Sequence, residues 1–310
     1  KDIILGTALV DMYAKCGMLS KAHEVLKELP VRDVVSWSAL IAGYSQTGQG
    51  LEALNCFEDM QNEGFSPDVV TFICILNACS STGAIDKGKA IHQQIVDKGF
   101  LEKDIVLGNA LVDMYAKCGM FTKAQEVLKQ LPIRNTVTWN VIISGYTQQG
   151  QGHEAINSFE QMQRDGVSPD VVTFISILKA CGKTGDVDKG NQICDVIWSK
   201  GLLENNIALG NALVDMYAKC GLLRNAKKVL KQLHLRNVIS WNTIIAGYAE
   251  CGQGHEALSC LEEMQSMNLK PDHGIYTSLL TAYSHTCDIQ EGLSCFESMK
   301  DNGIKPRLEH

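Results

Sequence analysis

Along the chain, apolar residues recur at helical spacing, give way to a short polar break, and then resume. Leu40, Ile41 and Tyr44 precede Gly48 in this way, so Gly48 reads as the C-terminal cap of a first helix. A second amphipathic run follows in Ala53-Leu54-Phe57-Met60, and Pro67 stops it before the next run begins. The pattern then returns with a period of 102 residues. Leu9 to Gly17, Leu111 to Gly119 and Leu213 to Gly221 all spell LVDMYAKCG, and Ser66 to Ile73 and Ser168 to Ile175 both spell SPDVVTFI. Trp37, Trp139 and Trp241 keep the same step, as do Pro67, Pro169 and Pro271. A length of 310 residues alone suggests about two globular domains, but self-similarity of this kind overrides that prior.

Each 102-residue block divides into repeats of 31, 35 and 36 residues, which gives nine in all: 3–33, 34–68, 69–104, 105–135, 136–170, 171–206, 207–237, 238–272 and 273–307. Numbered from its own first residue, position 15 is Gly in every repeat but the last, where it is Cys287. Position 20 is always small: Ala22, Ala53, Gly88, Ala124, Ala155, Gly190, Ala226, Ala257 and Gly292. A small side chain there lets two helices approach closely. Each repeat is therefore an antiparallel helix pair that cannot bury its apolar face alone, and stacking the pairs makes an all-α solenoid.

Composition narrows the function classes. With 45 % apolar residues and no apolar run approaching about 18 residues, the chain is neither disordered nor membrane-spanning. The formal charge of −7 is a mild argument against nucleic acid. Twelve cysteines include no C-x-x-C, and several recur at repeat-equivalent places (Cys16, Cys118 and Cys220; Cys79 and Cys181), which reads as small buried packing residues with reduced thiols. No H-x-E, Walker loop, G-x-S-x-G or G-x-G-x-x-G is present, so no catalysis and no cofactor are expected. His92, His153 and His255 read as helix-surface residues. No signal or transit peptide is visible, the chain opens in mid-motif at Lys1, and Leu308-Glu309-His310 reads as the stub of an expression tag.

Period alone does not separate the tetratricopeptide from the pentatricopeptide class, but wording does. Val34-Val35-Ser36-Trp37-Ser38-Ala39-Leu40-Ile41-Ala42-Gly43-Tyr44, then Glu52-Ala53-Leu54 and Phe57-Glu58-Asp59-Met60, closing at Ser66-Pro67-Asp68, resembles the pentatricopeptide repeat family. The cycle of 31-, 35- and 36-residue repeats is similar to its PLS subclass, found in plant organellar RNA-editing factors. The strict register fits both a recently duplicated natural array and a consensus-based one. The resemblance implies a right-handed superhelix whose first helices line a concave surface, with single-stranded RNA along it at about one base per repeat and its 5′ end at the N-terminus. It also implies a chloroplast or mitochondrial location. A tetratricopeptide-like scaffold holding peptide is the alternative.

In that family, base choice depends on position 5 and the last residue of each repeat. The pairs here are Thr7/Asp33, Ser38/Asp68, Asn109/Asn135, Asn140/Asp170, Asn211/Asn237 and Asn242/Asp272. All twelve are short and polar, and an Asn amide offers the donor and acceptor that match a pyrimidine edge. Family usage implies guanine for Thr/Asp and Ser/Asp, uracil for Asn/Asp and a pyrimidine for Asn/Asn. The footprint is then 5′-GGnYUnYU, with a ninth base unreadable at Thr277 and Arg307. Ile73 and Ile175 at position 5 cannot bond a base edge, which leaves Asp104 and Asn206 without a polar partner. The competing reading is that the last residues are helix caps.

Position 2 supplies apolar side chains that in the family sandwich bases: Ile4, Val35, Val70, Val106, Val137, Val172 and Ile239, with Ala208 and Gly274 as departures. Helix-start packing is the competing reading. At position 13, Lys15, Lys117, Lys183 and Lys219 match a phosphate-binding place, although Asp11, Asp113 and Asp215 lie four residues before three of them and suit helical ion pairs. So few lysines on an acidic chain imply modest affinity and a shallow salt slope. Family resemblance also makes multiple organellar RNA-editing factor proteins candidate partners. They would dock on the 36-residue repeats, in a groove left by Gly88 and Gly190. No membrane partner is expected.

Overall fold

The structure, a computed structural model, describes residues 3–204 and 206–307; the tag-like residues 308–310 lie outside these. Among the described residues there are eighteen α-helices and no strand. In chain order they are α1 (Ile3–Lys15), α2 (Leu19–Glu28), α3 (Val34–Gln46), α4 (Gly50–Asn62), α5 (Val69–Thr82), α6 (Ile85–Asp97), α7 (Ile105–Lys117), α8 (Phe121–Gln130) and α9 (Thr136–Gln148). They continue as α10 (Gly152–Arg164), α11 (Val171–Thr184), α12 (Val187–Ser199), α13 (Ile207–Lys219), α14 (Leu223–Gln232), α15 (Val238–Glu250), α16 (Gly254–Ser266), α17 (His273–Thr286) and α18 (Ile289–Asp301). Among the described residues no helix is long and apolar enough to cross a membrane.

The chain forms two compact units, Lys1–Gln149 and Gly150–His310. Within the first, each odd-numbered helix packs on the next odd-numbered one, from α1 through α9, and each even-numbered helix lies between its own partner and the following odd-numbered helix. The second follows the same rule from α11 through α17. Neighbouring second helices meet through side chains: Gln61 Nε2 donates to Gln94 Oε1 at 3.0 Å, and Lys87 Nζ lies 2.6 Å from Glu58 Oε1. Tyrosines at position 11 latch successive repeats. His92 Nδ1 lies 2.9 Å from the Tyr115 hydroxyl, and the Tyr217 hydroxyl donates to Asn191 Oδ1 at 2.7 Å.

Local chemistry fixes the helix ends. α3, α5, α7, α9, α11, α13, α15 and α17 each begin after an Asp or Asn whose side chain accepts a first-turn backbone N–H. Each such cap contributes about 1 kcal/mol. At the other end α3 closes as a Schellman motif. Gly48 takes φ +78°, and the Gln49 N–H donates to Tyr44 O at 2.9 Å. Cys287, standing where the other repeats have Gly, takes the same left-handed backbone with φ +54°.

The short repeats have a packing explanation. Their second helices, α2, α8 and α14, run ten residues where the others run thirteen, because Leu29, Leu131 and Leu233 leave the helix in extended conformation. Each leucine turns its methyls onto a position-4 glycine. A Cβ on Gly108 would lie 2.5 Å from Leu131 Cδ2, and one on Gly210 would lie 2.9 Å from the Leu233 methyls. Longer repeats fill position 4 from within, with buried Trp37, Phe72, Trp139, Phe174, Trp241 and Tyr276.

Two expectations about packing need correction. Cys79 and Cys181 are buried, but Cys118 and Cys220 are half-buried and Cys16 is exposed at the first repeat. Burial pushes the Cys181 thiol up to about 12 and that of Cys79 to about 11. His153 and His255 are exposed as expected. His92, by contrast, is wedged against Tyr115, and that burial lowers its pKa.

Candidate nucleic-acid interface

Because the odd-numbered helices of each compact unit pack one on the next, their N-terminal turns repeat as a row. At position 2 of these turns Ile4, Val35, Val70, Val106, Val137, Val172 and Ile239 are all solvent-exposed, by 53 % to 78 %. Packing does not account for them, since these helices bury other faces and leave position 2 outward. Large apolar side chains held outward at a fixed register offer flat contact area to a planar ligand.

Between these projections sit the position-5 side chains, sunk deeper. Ser38 is buried, Asn140 is 9 % exposed, and Ile73 and Ile175 are half-buried. Thr7 Oγ1 donates to Asp33 Oδ1 at 3.5 Å, and Ser38 Oγ lies 3.4 Å from Asp68 Oδ1, so in these two repeats position 5 and the last residue are neighbours. The last residues are also caps. Asp33 accepts from Ser36 N at 2.8 Å, Asp68 from Thr71 N at 2.8 Å, Asn135 from Thr138 N at 3.0 Å and Asp170 from Thr173 N at 2.9 Å. Asn237 and Asp272 cap α15 and α17 in the same way, as do Asp104 and Asn206 for α7 and α13. Capping therefore holds at every repeat junction, and it fixes the side chain that would face a base.

Sequence reasoning missed a third member. Position 3 of the following repeat carries a fully buried hydroxyl at Ser36, Thr71, Thr138, Thr173 and Ser240. Thr71 Oγ1 donates to Asp68 Oδ1 at 2.7 Å and lies 2.6 Å from Ser38 Oγ. The Ser240 hydroxyl lies 2.5 Å from Asn211 Oδ1 and 2.9 Å from Asn237 Oδ1. The carbonyl oxygens of Asn109 and Asn242 are buried without a hydrogen-bond partner. The signal was present, since an Asp or Asn cap followed three residues later by Ser or Thr marks a two-way cap.

Lys15, Lys117 and Lys219 pair with Asp11, Asp113 and Asp215 at 2.7, 2.8 and 2.7 Å, as the spacing suggested. These pairs are solvent-exposed and contribute about 0–1 kcal/mol each, so a phosphate competes with them easily. Lys183 stands four residues after Lys179 rather than after an aspartate.

The groove expected at Gly88 and Gly190 is filled from within. Both glycines face inward, and an added Cβ would lie 2.8 Å from Met114 Sδ and 2.7 Å from Met216 Sδ, respectively. The missing side chain makes room for the next repeat's methionine and leaves no notch for a visitor. Among the described residues, no group of three His, Cys, Asp or Glu side chains gathers to hold a metal.

Such an array, with an outward apolar side chain in seven of its helix pairs and a polar pair in six, is a helical-repeat protein that offers similar contacts at regular steps. The chain belongs to the pentatricopeptide repeat family. The PPR repeat family model matches residues 32–81, 134–183 and 236–274, the PPR repeat model matches 7–34, 109–135, 172–202 and 211–238, and the pentatricopeptide repeat domain model matches 259–309. It is similar to a putative mitochondrial pentatricopeptide repeat-containing protein of Arabidopsis thaliana (32 % identity, 92 % of this chain, 47 % of that protein). It is also similar to a chloroplastic one from the same plant (36 % identity, 92 % of this chain, 46 % of that protein). The chain thus spans about half the length of the curated relatives it matches. Among solved structures, the pentatricopeptide repeat protein PPR10 from maize shares the fold (TM-score 0.77, 20 % identity, 97 % of this chain, 44 % of that one). PPR10 in complex with an 18-nucleotide psaJ RNA element matches equally well (TM-score 0.77, 26 % identity, 93 % of this chain, 43 % of that one).

Proposed function

We propose that this chain binds single-stranded RNA at about one base per repeat, reading 5′-GGnYUnYU through the pairs from Thr7/Asp33 to Asn242/Asp272. The observation that carries the reading is the row of outward apolar side chains at position 2, alternating with recessed polar side chains at position 5. A base stacked between two such projections meets the polar pair with its Watson–Crick edge. The likeness to PPR10 in its RNA complex supports the same reading. The half-buried Ile73 and Ile175 contribute contact without hydrogen bonding, which leaves the third and sixth bases unselected. We extend the proposal to a role as the targeting module of an organellar C-to-U editing factor of the PLS type, in keeping with the mitochondrial and chloroplastic relatives. Help from an editing-factor protein on the 36-residue repeats belongs to that extension, on a surface other than the filled one at Gly88 and Gly190.

The test is binding to three ligands: RNA carrying the footprint, a scrambled RNA, and DNA of the footprint sequence. Tighter binding to the first supports the reading. Equal, weak binding to all three refutes it.

A further inference from the structure

We infer that the third residue of each repeat sets the donor and acceptor polarity of the preceding repeat's base-reading pair. It acts as a positioning residue rather than as a cap alone. The inference rests on the RNA-reading proposal above.

The first argument is the pattern along the chain. Where position 5 is polar, the next repeat's position 3 is a hydroxyl: Thr7 with Ser36, Ser38 with Thr71, Asn109 with Thr138, Asn140 with Thr173 and Asn211 with Ser240. Where position 5 is apolar, position 3 is apolar too: Ile73 with Leu107 and Ile175 with Leu209. Capping alone does not produce this pairing, because Asp104 and Asn206 cap α7 and α13 without any hydroxyl at position 3. The exception is Asn242, followed by Ile275. Its Oδ1 is buried with no partner, as is that of Asn109 beside Thr138, so the direct contacts that carry the inference are those of Ser38 with Thr71 and Asn211 with Ser240.

The second argument is proton direction. Thr71 donates to the Asp68 carboxylate, which accepts only. Thr71 Oγ1, 2.6 Å from Ser38 Oγ, is then the nearer acceptor for the Ser38 proton, the Asp68 carboxylate lying at 3.4 Å. That turns the Ser38 hydrogen inward and leaves its lone pairs outward, so a base meets an acceptor. Guanine presents the N1–H and N2–H donors to it, whereas adenine offers only its N6 amine and places a repelling N1 lone pair where guanine has N1–H. At Asn211 the buried Ser240 hydroxyl engages Oδ1, which leaves the amide N–H groups for the acceptors of a cytosine edge.

The test uses the whole chain and RNAs that carry each base in turn at one footprint position. Thr71→Val keeps the side-chain shape and the backbone N–H to Asp68. It should lower the guanine-over-adenine ratio at the second base about tenfold and leave the fifth-base ratio unchanged, while Thr71→Ser retains the wild-type ratio. Ile275→Thr should sharpen selection at the eighth base. Should Thr71→Val not fold, Ser240→Ala read at the seventh base replaces it. A wild-type ratio in a folded Thr71→Val or Ser240→Ala variant overturns the inference while RNA reading stands. A wild type that does not discriminate at any base overturns both.

Discussion

Under the proposed reading Asp68 has two tasks, capping and base reading, that different substitutions separate. Its Oδ1 accepts from Thr71 N at 2.8 Å and from Thr71 Oγ1 at 2.7 Å, and lies 3.4 Å from Ser38 Oγ. Asp68→Ala removes the cap of α5, at a cost of about 1 kcal/mol. It also strips the carboxylate from a fully buried Thr71 hydroxyl, which keeps Ser38 as a partner and so loses about 1 kcal/mol more. The sum, about 2 kcal/mol, falls on one repeat and its neighbours, because such arrays are stabilised repeat by repeat. Asp68→Asn keeps an acceptor of nearly equal capping strength, so stability should change by less than about 0.5 kcal/mol. It nevertheless exchanges an acceptor-only group for one that also donates, and the guanine preference at the second base should fall. Hydrogen exchange at the Thr71 amide reads the first effect, with about thirtyfold faster exchange in the alanine variant and little change in the asparagine one. Competition binding with the second base varied reads the other. If Asp68→Asn opens α5 as far as Asp68→Ala does, or leaves the guanine preference intact, the separation of capping from reading is wrong.

Three further outcomes test other parts of the molecule. Asn140→Thr should move preference at the fifth base from uracil toward guanine, measured with the same varied RNAs. Val106→Ser, on a side chain 58 % exposed, should leave Tm within what about 0.5 kcal/mol explains but weaken RNA binding several-fold; a large drop in Tm would return Val106 to the helix-packing reading. Thiol labelling at pH 8 should be fast at exposed Cys16, Cys251 and Cys287 and slow at Cys56 and Cys181. Burial pushes those two up to about 12, so their reactive thiolate is scarce until the pH approaches that value or the chain unfolds.

Much of the fold was legible because a repeat states each rule several times. Glycine at position 15 and proline at repeat ends punctuate the helices through backbone chemistry alone, which needs no tertiary knowledge. The apolar row at position 2 and the polar row at position 5 could be read as rows, but their exposure could not. Val35 and Leu40 look alike in sequence, and only packing turns one to solvent and buries the other. Gly88 was misread for the same reason. A small residue signals close approach, but not from which side, and here Met114 approaches from within. The position-3 hydroxyls were missed because the contact from Ser38 to Thr71 spans a repeat boundary, and reading each repeat as a closed unit hides it.

The contest between cap and code at the last residue of each repeat dissolves on the same geometry. An N-cap must be short, must reach back to the helix's first turn and must carry an acceptor, which restricts it in practice to Asp, Asn, Ser or Thr. A residue steering a neighbouring amide or hydroxyl toward a base needs the same length and the same acceptor. All eight junction residues from Asp33 to Asp272 are Asp or Asn, and each one caps. Position 5 lies inside a formed helix and carries no such duty, and it ranges over Thr, Ser, Asn and Ile. Variation is thus cheap at position 5 and confined at the junction. Retargeting this array should therefore succeed first through position 5, with the junction held at Asp or Asn and the position-3 hydroxyl kept beside every polar reader.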